Sequence, residues 1–134
     1  MIKDIPFLKV EDVSIAVAPA ESDMGIQIYK AYLINHKEQD LHHIMVRCSG
    51  MGLVNEEKIK TSTLRILLDV APKGQAIAID SFPQEAAGLY NEYWISFRYK
   101  GYLYDKKFVF VPESIVPQNF IHIPALEQKG VWIK

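Results

Sequence analysis

The chain has 134 residues, of which 49% are hydrophobic and 23% are charged, and its formal net charge is −1. These values are typical of one globular domain spanning 1–134, and they argue against a disordered chain or one that needs a disulfide or a metal to fold. The near-neutral charge disfavours nucleic acid as the main partner, because a protein that grips phosphate backbones presents a basic surface.

The compartment is indicated by the cysteine content and by the absence of targeting patterns. Cys48 is the single cysteine, so no intrachain disulfide forms, and a lone thiol is typical of a reducing cytosol. The chain does not start with a basic segment followed by an apolar run, and no apolar stretch reaches the ~20 residues of a membrane helix. We therefore expect a cytoplasmic protein with no membrane partner.

Alternation of apolar and polar residues predicts strands along most of the first half. The first strand covers 13–17 and is expected to stop at Pro19. Residues 26–35 and 41–48 are rich in β-branched and aromatic side chains and form a hairpin around a polar turn. Residues 49–60 are predicted to be a glycine-rich break followed by a polar loop.

The middle of the chain contains one ambiguous segment. Residues 61–70 fit either a strand or a helix face, and the surrounding strands favour a strand. Residues 75–80 alternate and predict a short strand, and 83–87 predicts one helical turn that begins at a proline and ends at a glycine.

The clearest element is a hairpin formed by 92–99 and 102–111, whose two-residue turn places Gly101 where a positive φ is required. The simplest register pairs aromatic residues on one face and polar residues with Trp94 on the other. The predicted pairs are Tyr99 with Tyr102, Phe97 with Tyr104, Tyr93 with Phe108, Trp94 with Lys107, and Ser96 with Asp105.

The C-terminal segment, 112–134, contains three prolines and many apolar side chains. Such a segment is too apolar to remain solvated and too rich in proline for a long helix, so we expect it to pack in extended form on the domain or on a partner chain. With six or seven antiparallel strands and almost no helix, the sequence predicts an all-β, two-sheet sandwich of the immunoglobulin or fibronectin type, with a barrel as the alternative.

Four histidine or aspartate residues lie around the first hairpin turn, namely His36, Asp40, His42 and His43. A metal site needs three or four converging ligands, and consecutive residues of a regular strand face opposite sides. Cys48 is interpreted as a small core residue. We therefore assign no catalytic residue, no cofactor and no metal ligand, and a small enzyme that uses the His36–His43 region stays an alternative.

Aromatic side chains are concentrated between residues 90 and 110, and tyrosine and tryptophan are favoured at recognition surfaces. The candidate interaction surface consists of Tyr90, Trp94, Tyr102, Tyr104, Phe120 and Trp132. The predicted function is a non-catalytic binding or protein-interaction module, whose partner is another protein or a second copy of the chain in a homodimer.

Four segments carry a family resemblance: Lys60–Arg65 (KTSTLR), Asn91–Phe97 (NEYWISF), Tyr104–Pro112 (YDKKFVFVP) and Lys129–Lys134 (KGVWIK). Together they resemble, over nearly the whole chain, a family of short uncharacterised bacterial proteins that are sometimes labelled phenylalanyl-tRNA synthetase subunits. The family brings no assigned catalytic residues. Because a class II synthetase core is a much larger α/β domain, the resemblance implies at most a small accessory domain associated with that synthetase or with RNA.

Overall fold

The computed structural model describes residues 11–54, 56–61 and 63–134. These residues form ten strands: β1 (Val13–Glu21), β2 (Gln27–Asn35), β3 (Leu41–Val54), β4 (Glu57–Lys60), β5 (Leu64–Ala71), β6 (Ala76–Pro83), β7 (Tyr90–Tyr99), β8 (Tyr102–Phe110), β9 (Ile121–Ile123) and β10 (Gln128–Ile133). Short 3-10 turns lie at Gln84–Gly88, Pro117–Asn119 and Pro124–Leu126. None of the described residues belongs to a helix long and apolar enough to cross a membrane.

The strands form two antiparallel sheets that pack against each other. The first sheet has the order β6-β2-β1-β10-β9, and the second has the order β4-β3-β7-β8, with β5 also paired to β3. Strands β1, β2 and β6 therefore share one sheet, and β3, β5, β7 and β8 share the other, as in the immunoglobulin and fibronectin arrangement. The predicted fold class is confirmed.

The core lies between the sheets and is built from alternate residues of each long strand. Its fully buried side chains include Ile15, Val17, Leu33, Ile44, Val46, Tyr93, Ile95, Phe97, Phe108 and Phe110. Each such side chain stabilises the fold by about 1.5–3 kcal/mol relative to exposure. The period of two that predicts the strands therefore also selects the residues that fill the core.

The β7–β8 hairpin has the register predicted from its turn. All five predicted pairs are present, and the turn residues Lys100 and Gly101 both have positive φ, of 52° and 82°. On the inner face, the rings of Phe97 and Tyr104 stack with their centroids 5.4 Å apart. A local turn therefore fixes which side chains meet along the whole hairpin.

The prediction that the first strand stops at Pro19 is wrong. Strand β1 continues to Glu21, and Pro19 pairs with Tyr29 of β2. Pairing of β1 with β10 ends at Val17, so Pro19 lies where β1 has a strand on one side only. A proline lacks a backbone N–H. It is tolerated here because β1 has no paired strand on its other side that would need that N–H as a donor.

The predicted break after residue 48 is also wrong, because β3 runs through Gly50 and Gly52 and β4 occupies part of the predicted loop. The two glycines allow close packing. A β-carbon at Gly52 would lie 2.9 Å from Leu89 Cδ2, and one at Gly50 would lie 3.3 Å from Asn91 Oδ1. The missing side chains therefore let Leu89 and the start of β7 approach β3 closely, and neither glycine ends the strand.

The predicted hairpin of 26–35 and 41–48 is wrong, because β2 pairs with β1 and β6 in the first sheet whereas β3 pairs with β4, β5 and β7 in the second. The connection between β2 and β3 crosses from one sheet to the other. Alternation identifies both strands but does not show which strands they pair with.

The remaining predictions for the middle of the chain agree with the structure. The ambiguous segment 61–70 is a strand from Leu64 onward, and the predicted helical turn at 83–87 is a 3-10 turn at Gln84–Gly88.

The C-terminal segment packs on the chain itself. Strand β10 pairs with β1, and β9 pairs with β10. Ile123 is fully buried against Ala16 and Ile34, on the side of the first sheet that faces away from the main core. The segment thus covers part of the outer face of the first sheet with a second, smaller apolar cluster.

Candidate interaction surface

Three residues of the predicted interaction surface lie in packed positions. Tyr104 stacks on Phe97 at the inner face of the second sheet, and Phe120 packs against the main core. Trp132 lies beside the smaller cluster on the outer face of the first sheet.

The other three predicted residues are accessible but do not lie together. Tyr90 is exposed and lines a shallow depression with Met51 and Ile59, and Tyr102 is exposed beside the β7–β8 turn. Trp94 is half-buried on the outer face of the second sheet. The six residues therefore do not form one surface, and Trp94 is the one with a distinctive setting.

Trp94 stands in a row of side chains that crosses the second sheet. Strand register aligns Arg65 on β5, Arg47 on β3, Trp94 on β7 and Lys107 on β8. Arg47 Cζ lies 4.8 Å from the centroid of the Trp94 ring, and Lys107 Nζ lies 5.9 Å from it. These are cation–π distances. We call these four residues the cationic row.

The next row along the same face consists of Leu67, Met45, Ser96 and Asp105. Leu67 and Met45 are large apolar residues that are 63% and 51% exposed. Side chains of both rows line a shallow depression of about 250 Å³. The outer face of the second sheet therefore places cations, one aromatic ring and exposed apolar groups side by side.

Acidic groups partly balance the cationic row. Lys107 Nζ lies 3.8 Å from Glu92 Oε1, and Asp105 lines the depression. The ion pair is exposed and contributes at most about 1 kcal/mol. Arg47 and Arg65, which are directly opposite each other on neighbouring strands, are therefore the strongest local source of positive charge.

Arg47, Arg65, Met45 and Leu67 were not predicted as site residues. The alternation of Ile44, Val46 and Cys48 does place Met45 and Arg47 on the outer face. The row, however, exists only because β3 lies between β5 and β7, and the sequence does not give that pairing.

The two histidines at the start of β3, His42 and His43, are not arranged as a regular strand would place them. His43 has a left-handed backbone, with φ of 54°, between the buried residues Leu41 and Ile44. Alternation is broken there, so His42 and His43 are both exposed with ring centroids 6.4 Å apart. Across the described residues, no three His, Cys, Asp or Glu side chains converge in a way that suits a metal ion.

His36 belongs to a different group of side chains. Trp132 Nε1 donates to Ser14 Oγ at 2.7 Å, and Ser14 Oγ lies 2.8 Å from His36 Nε2. Partial burial lowers the pKa of His36, and so does the charge of Lys134, while Asp12 opposes the shift. The lowered pKa of His36 favours the neutral imidazole at pH 7, and a hydrogen bond joins its Nε2 to the Ser14 hydroxyl.

A hydrogen-bonded serine and histidine is also the geometry of an activated nucleophile. Ser14 is only 1% exposed, and its oxygen already accepts the Trp132 N–H. Both residues border an open depression that Trp132 and Lys134 also line, but the Ser14 side chain itself is screened from solvent. The observed role of the Ser14–His36 pair is to hold Trp132 in place.

Cys48 is equally unsuited to nucleophilic chemistry. The thiol is buried, and burial together with the nearby Asp80 carboxylate raises its pKa to about 12. A thiol that stays protonated at pH 7 neither attacks an electrophile nor binds a metal readily.

The chain matches no protein-family model, no curated protein and no solved structure. A guanidinium binds carboxylates in a bidentate manner, and a tryptophan face packs against flat or apolar groups. The cationic row combines both capacities.

Proposed function

We propose that the protein is a non-catalytic, cytoplasmic binding module that docks a protein partner on the outer face of its second sheet. The cationic row is the observation that carries this proposal. Arginine and tryptophan are the residue types that most often dominate binding energy at protein interfaces, and here Arg47 and Trp94 are in contact on an accessible face.

The chemistry of the face defines the partner. Arg47, Arg65 and Lys107 suit carboxylates, and the neighbouring Met45 and Leu67 suit apolar side chains. An extended segment that runs along the strands would meet both rows at once if its alternate residues, which share one face, are acidic and apolar in turn. We therefore propose an acidic, partly apolar protein segment as the ligand.

A cytoplasmic setting is part of the proposal. It is supported by the single, buried cysteine, which needs no oxidising compartment.

The test uses three fluorescently labelled probes. The first is a peptide in which every second residue is Ser and the residues between are Glu and Leu in turn, so that Glu and Leu share one face. The second has Lys in place of Glu, and the third is a single-stranded RNA oligonucleotide of equal length. Fluorescence anisotropy is expected to show binding of the acidic peptide, weakened by added salt because exposed charges are screened over about 8–10 Å.

Two charge reversals of equal size supply the control. Arg47→Glu is expected to weaken acidic-peptide binding by about tenfold or more, which corresponds to roughly 1.4 kcal/mol. Lys129→Glu changes an exposed lysine of β10 in the first sheet and is expected to leave binding unchanged. Equal losses in both variants, or tighter binding of the RNA than of the acidic peptide, would overturn the proposal. Preference for RNA would instead support the accessory role that the family resemblance implies.

A further inference from the structure

Strand β5 lies at an edge of the second sheet, since β3 is the only strand paired with it in the described part of the chain. Leu64, Leu67 and Val70 are exposed large apolar residues on this short strand. Its only charged residues are Arg65 and Asp69. An apolar edge strand with an unused row of backbone donors and acceptors is a template for another strand.

The other edges carry features that discourage such pairing. Strand β8 has three consecutive charged residues at 105–107, and three of the four β4 residues are charged. Strand β6 has a register shift in its pairing with β2 and ends at Pro83, and β9 has only three residues. Charges, irregular pairing, proline and short length all protect a sheet edge, so β5 is the least protected one among the described strands.

The sequence of β5 is complementary to itself in one antiparallel register. A two-fold axis at Leu67 places Leu67 opposite the same residue of a second copy. Arg65 then lies opposite Asp69 of the second copy on the outer face. The two other pairs, Leu64 with Val70 and Ile66 with Leu68, are entirely apolar.

Other symmetric registers lose this match. An axis at Ile66 would place Arg65 opposite Leu67, and an axis at Leu68 would place Asp69 opposite Leu67. An axis midway between two residues would pair inward-facing with outward-facing side chains. Opposite charges directly across a strand pair are favourable, whereas a charge opposite a leucine gains no such pairing. The charge pattern therefore selects the register centred on Leu67.

We propose that two copies of this chain form a homodimer by antiparallel pairing of their β5 strands about Leu67. The two second sheets then become one continuous sheet. Because Leu67 pairs with Met45 of β3, these exposed residues of both copies form a single apolar strip across the axis. Arg65 of the cationic row and the neighbouring Leu67 lie at this interface, whereas Arg47, Trp94 and Lys107 lie on strands away from it. Dimerisation is therefore measured separately from binding of the proposed ligand, which Arg47→Glu tests.

Sedimentation velocity tests the dimer through charge reversals. The wild-type mass is expected to rise with concentration toward twice the 15.3 kDa of one chain. Arg65→Asp places two acids opposite each other, and Asp69→Arg does the same with two arginines, so each variant alone is expected to stay monomeric. An equal mixture restores both opposite-charge pairs and is expected to dimerise. A monomeric wild type, single variants that dimerise like the wild type, or a mixture that remains monomeric would overturn the proposal.

Cysteine cross-linking tests the register. Residues directly opposite in an antiparallel pair have Cα atoms about 4.5–5.5 Å apart, within the range for a disulfide. Leu67→Cys is expected to cross-link under mild oxidation much faster than Met24→Cys, a control at another exposed position. Arg65→Cys alone is expected not to cross-link, because it faces Asp69. Rapid cross-linking by Arg65→Cys, or equal rates for the Leu67 and Met24 variants, would contradict the register.

Discussion

The Tyr93 hydroxyl on β7 donates a hydrogen bond of 3.0 Å to Asp80 Oδ2 on β6, and this bond crosses the sandwich from one sheet to the other. Burial raises the pKa of Asp80, although the bonds from Tyr93 and from the Ser81 backbone oppose the shift. Burial also raises the pKa of Tyr93, and the Asp80 charge adds to that rise. The bond therefore fixes the position of Tyr93 against Asp80. Burial nevertheless makes the ionised form of the Asp80 carboxyl less favourable in the folded protein than in water.

Asp80→Asn is expected to stabilise the protein more at pH 7 than at pH 3.5. The folded-state pKa lies above the unfolded value of about 3.9, so protonation of Asp80 contributes stability below about pH 4 that is lost as pH rises through the folded pKa. Asparagine does not ionise, and its amide oxygen still accepts from Tyr93. Urea unfolding of variant and wild type at both pH values measures the difference. An equal difference at both pH values would show that Asp80 carries no such penalty.

Local signals predict the parts of this fold that depend on neighbouring residues. The two-residue turn at Lys100 and Gly101 sets every pair of the β7–β8 hairpin, and alternation identifies the core faces. The error at Pro19 has a non-local cause, because its tolerance depends on where β10 stops pairing with β1. The glycines of β3 have a non-local role as well, since they make room for Leu89 and Asn91, which follow the 3-10 turn Gln84–Gly88 far along the chain.

The candidate site was predictable only in part. Trp94 was predicted as an interface residue, and its pairing with Lys107 follows from the hairpin turn. Arg47 and Arg65 join it through the placement of β3 between β5 and β7, which brings together residues that are far apart in sequence. Histidine geometry at residues 42 and 43 depends on one left-handed residue that no local pattern indicates.

Cys48 is expected to resist alkylation in the folded protein. Its thiol is buried, and its pKa of about 12 leaves almost no thiolate at pH 8. Iodoacetamide labelling followed by mass spectrometry should modify the wild type only after urea is added, while a Met24→Cys variant should gain one label without urea. Rapid labelling of native wild type would contradict the packed position of the thiol.

Because Cys48 is a free thiol, thermal melts with and without dithiothreitol should also coincide.

Asn35 is expected to be a large contributor to stability despite its place beside a polar turn. Its fully buried amide donates to Ala71 O at 2.8 Å and to Gln39 O at 2.9 Å, and its oxygen accepts from the Lys37 N–H. Asn35→Leu leaves the two carbonyl oxygens and the Lys37 N–H without their hydrogen-bond partner. Leaving a buried polar group unpaired lowers the free energy of unfolding by about 1–3 kcal/mol.

Chemical unfolding measures that loss against a matched control. Asn119→Leu removes an amide that donates to Ser114 O in an exposed position, so the freed groups bond to water and the change should be within about 0.5 kcal/mol. Similar losses in the two variants would show that the Asn35 bonds do not hold the β2–β3 connection to the end of β5.

Gly130 tests whether the C-terminal segment is an integral part of the fold. Strand β10 passes so close to β1 that a β-carbon at Gly130 would overlap the carbonyl oxygen of Val17 and lie 3.0 Å from Ala18 Cβ. The obstructing atoms belong to the backbone and a short side chain, which do not rotate away. Gly130→Ala is therefore expected to destabilise the protein by about 1–3 kcal/mol, as overpacking does. Gly88→Ala, where a β-carbon meets nothing within 4 Å, should change stability by at most about 0.5 kcal/mol.

Deleting residues 119–134 extends the same argument to the whole segment. The deletion removes β10 from its place beside β1 and removes Ile123 from the smaller apolar cluster, so it exposes Ala16 and Ile34. These losses amount to several kcal/mol against a typical domain stability of about 5–15 kcal/mol. We expect the truncated chain to be strongly destabilised or to aggregate, as read by urea unfolding and light scattering. A truncated chain that is monodisperse and as stable as the full chain, together with a neutral Gly130→Ala, would mean that β10 does not hold β1 in solution.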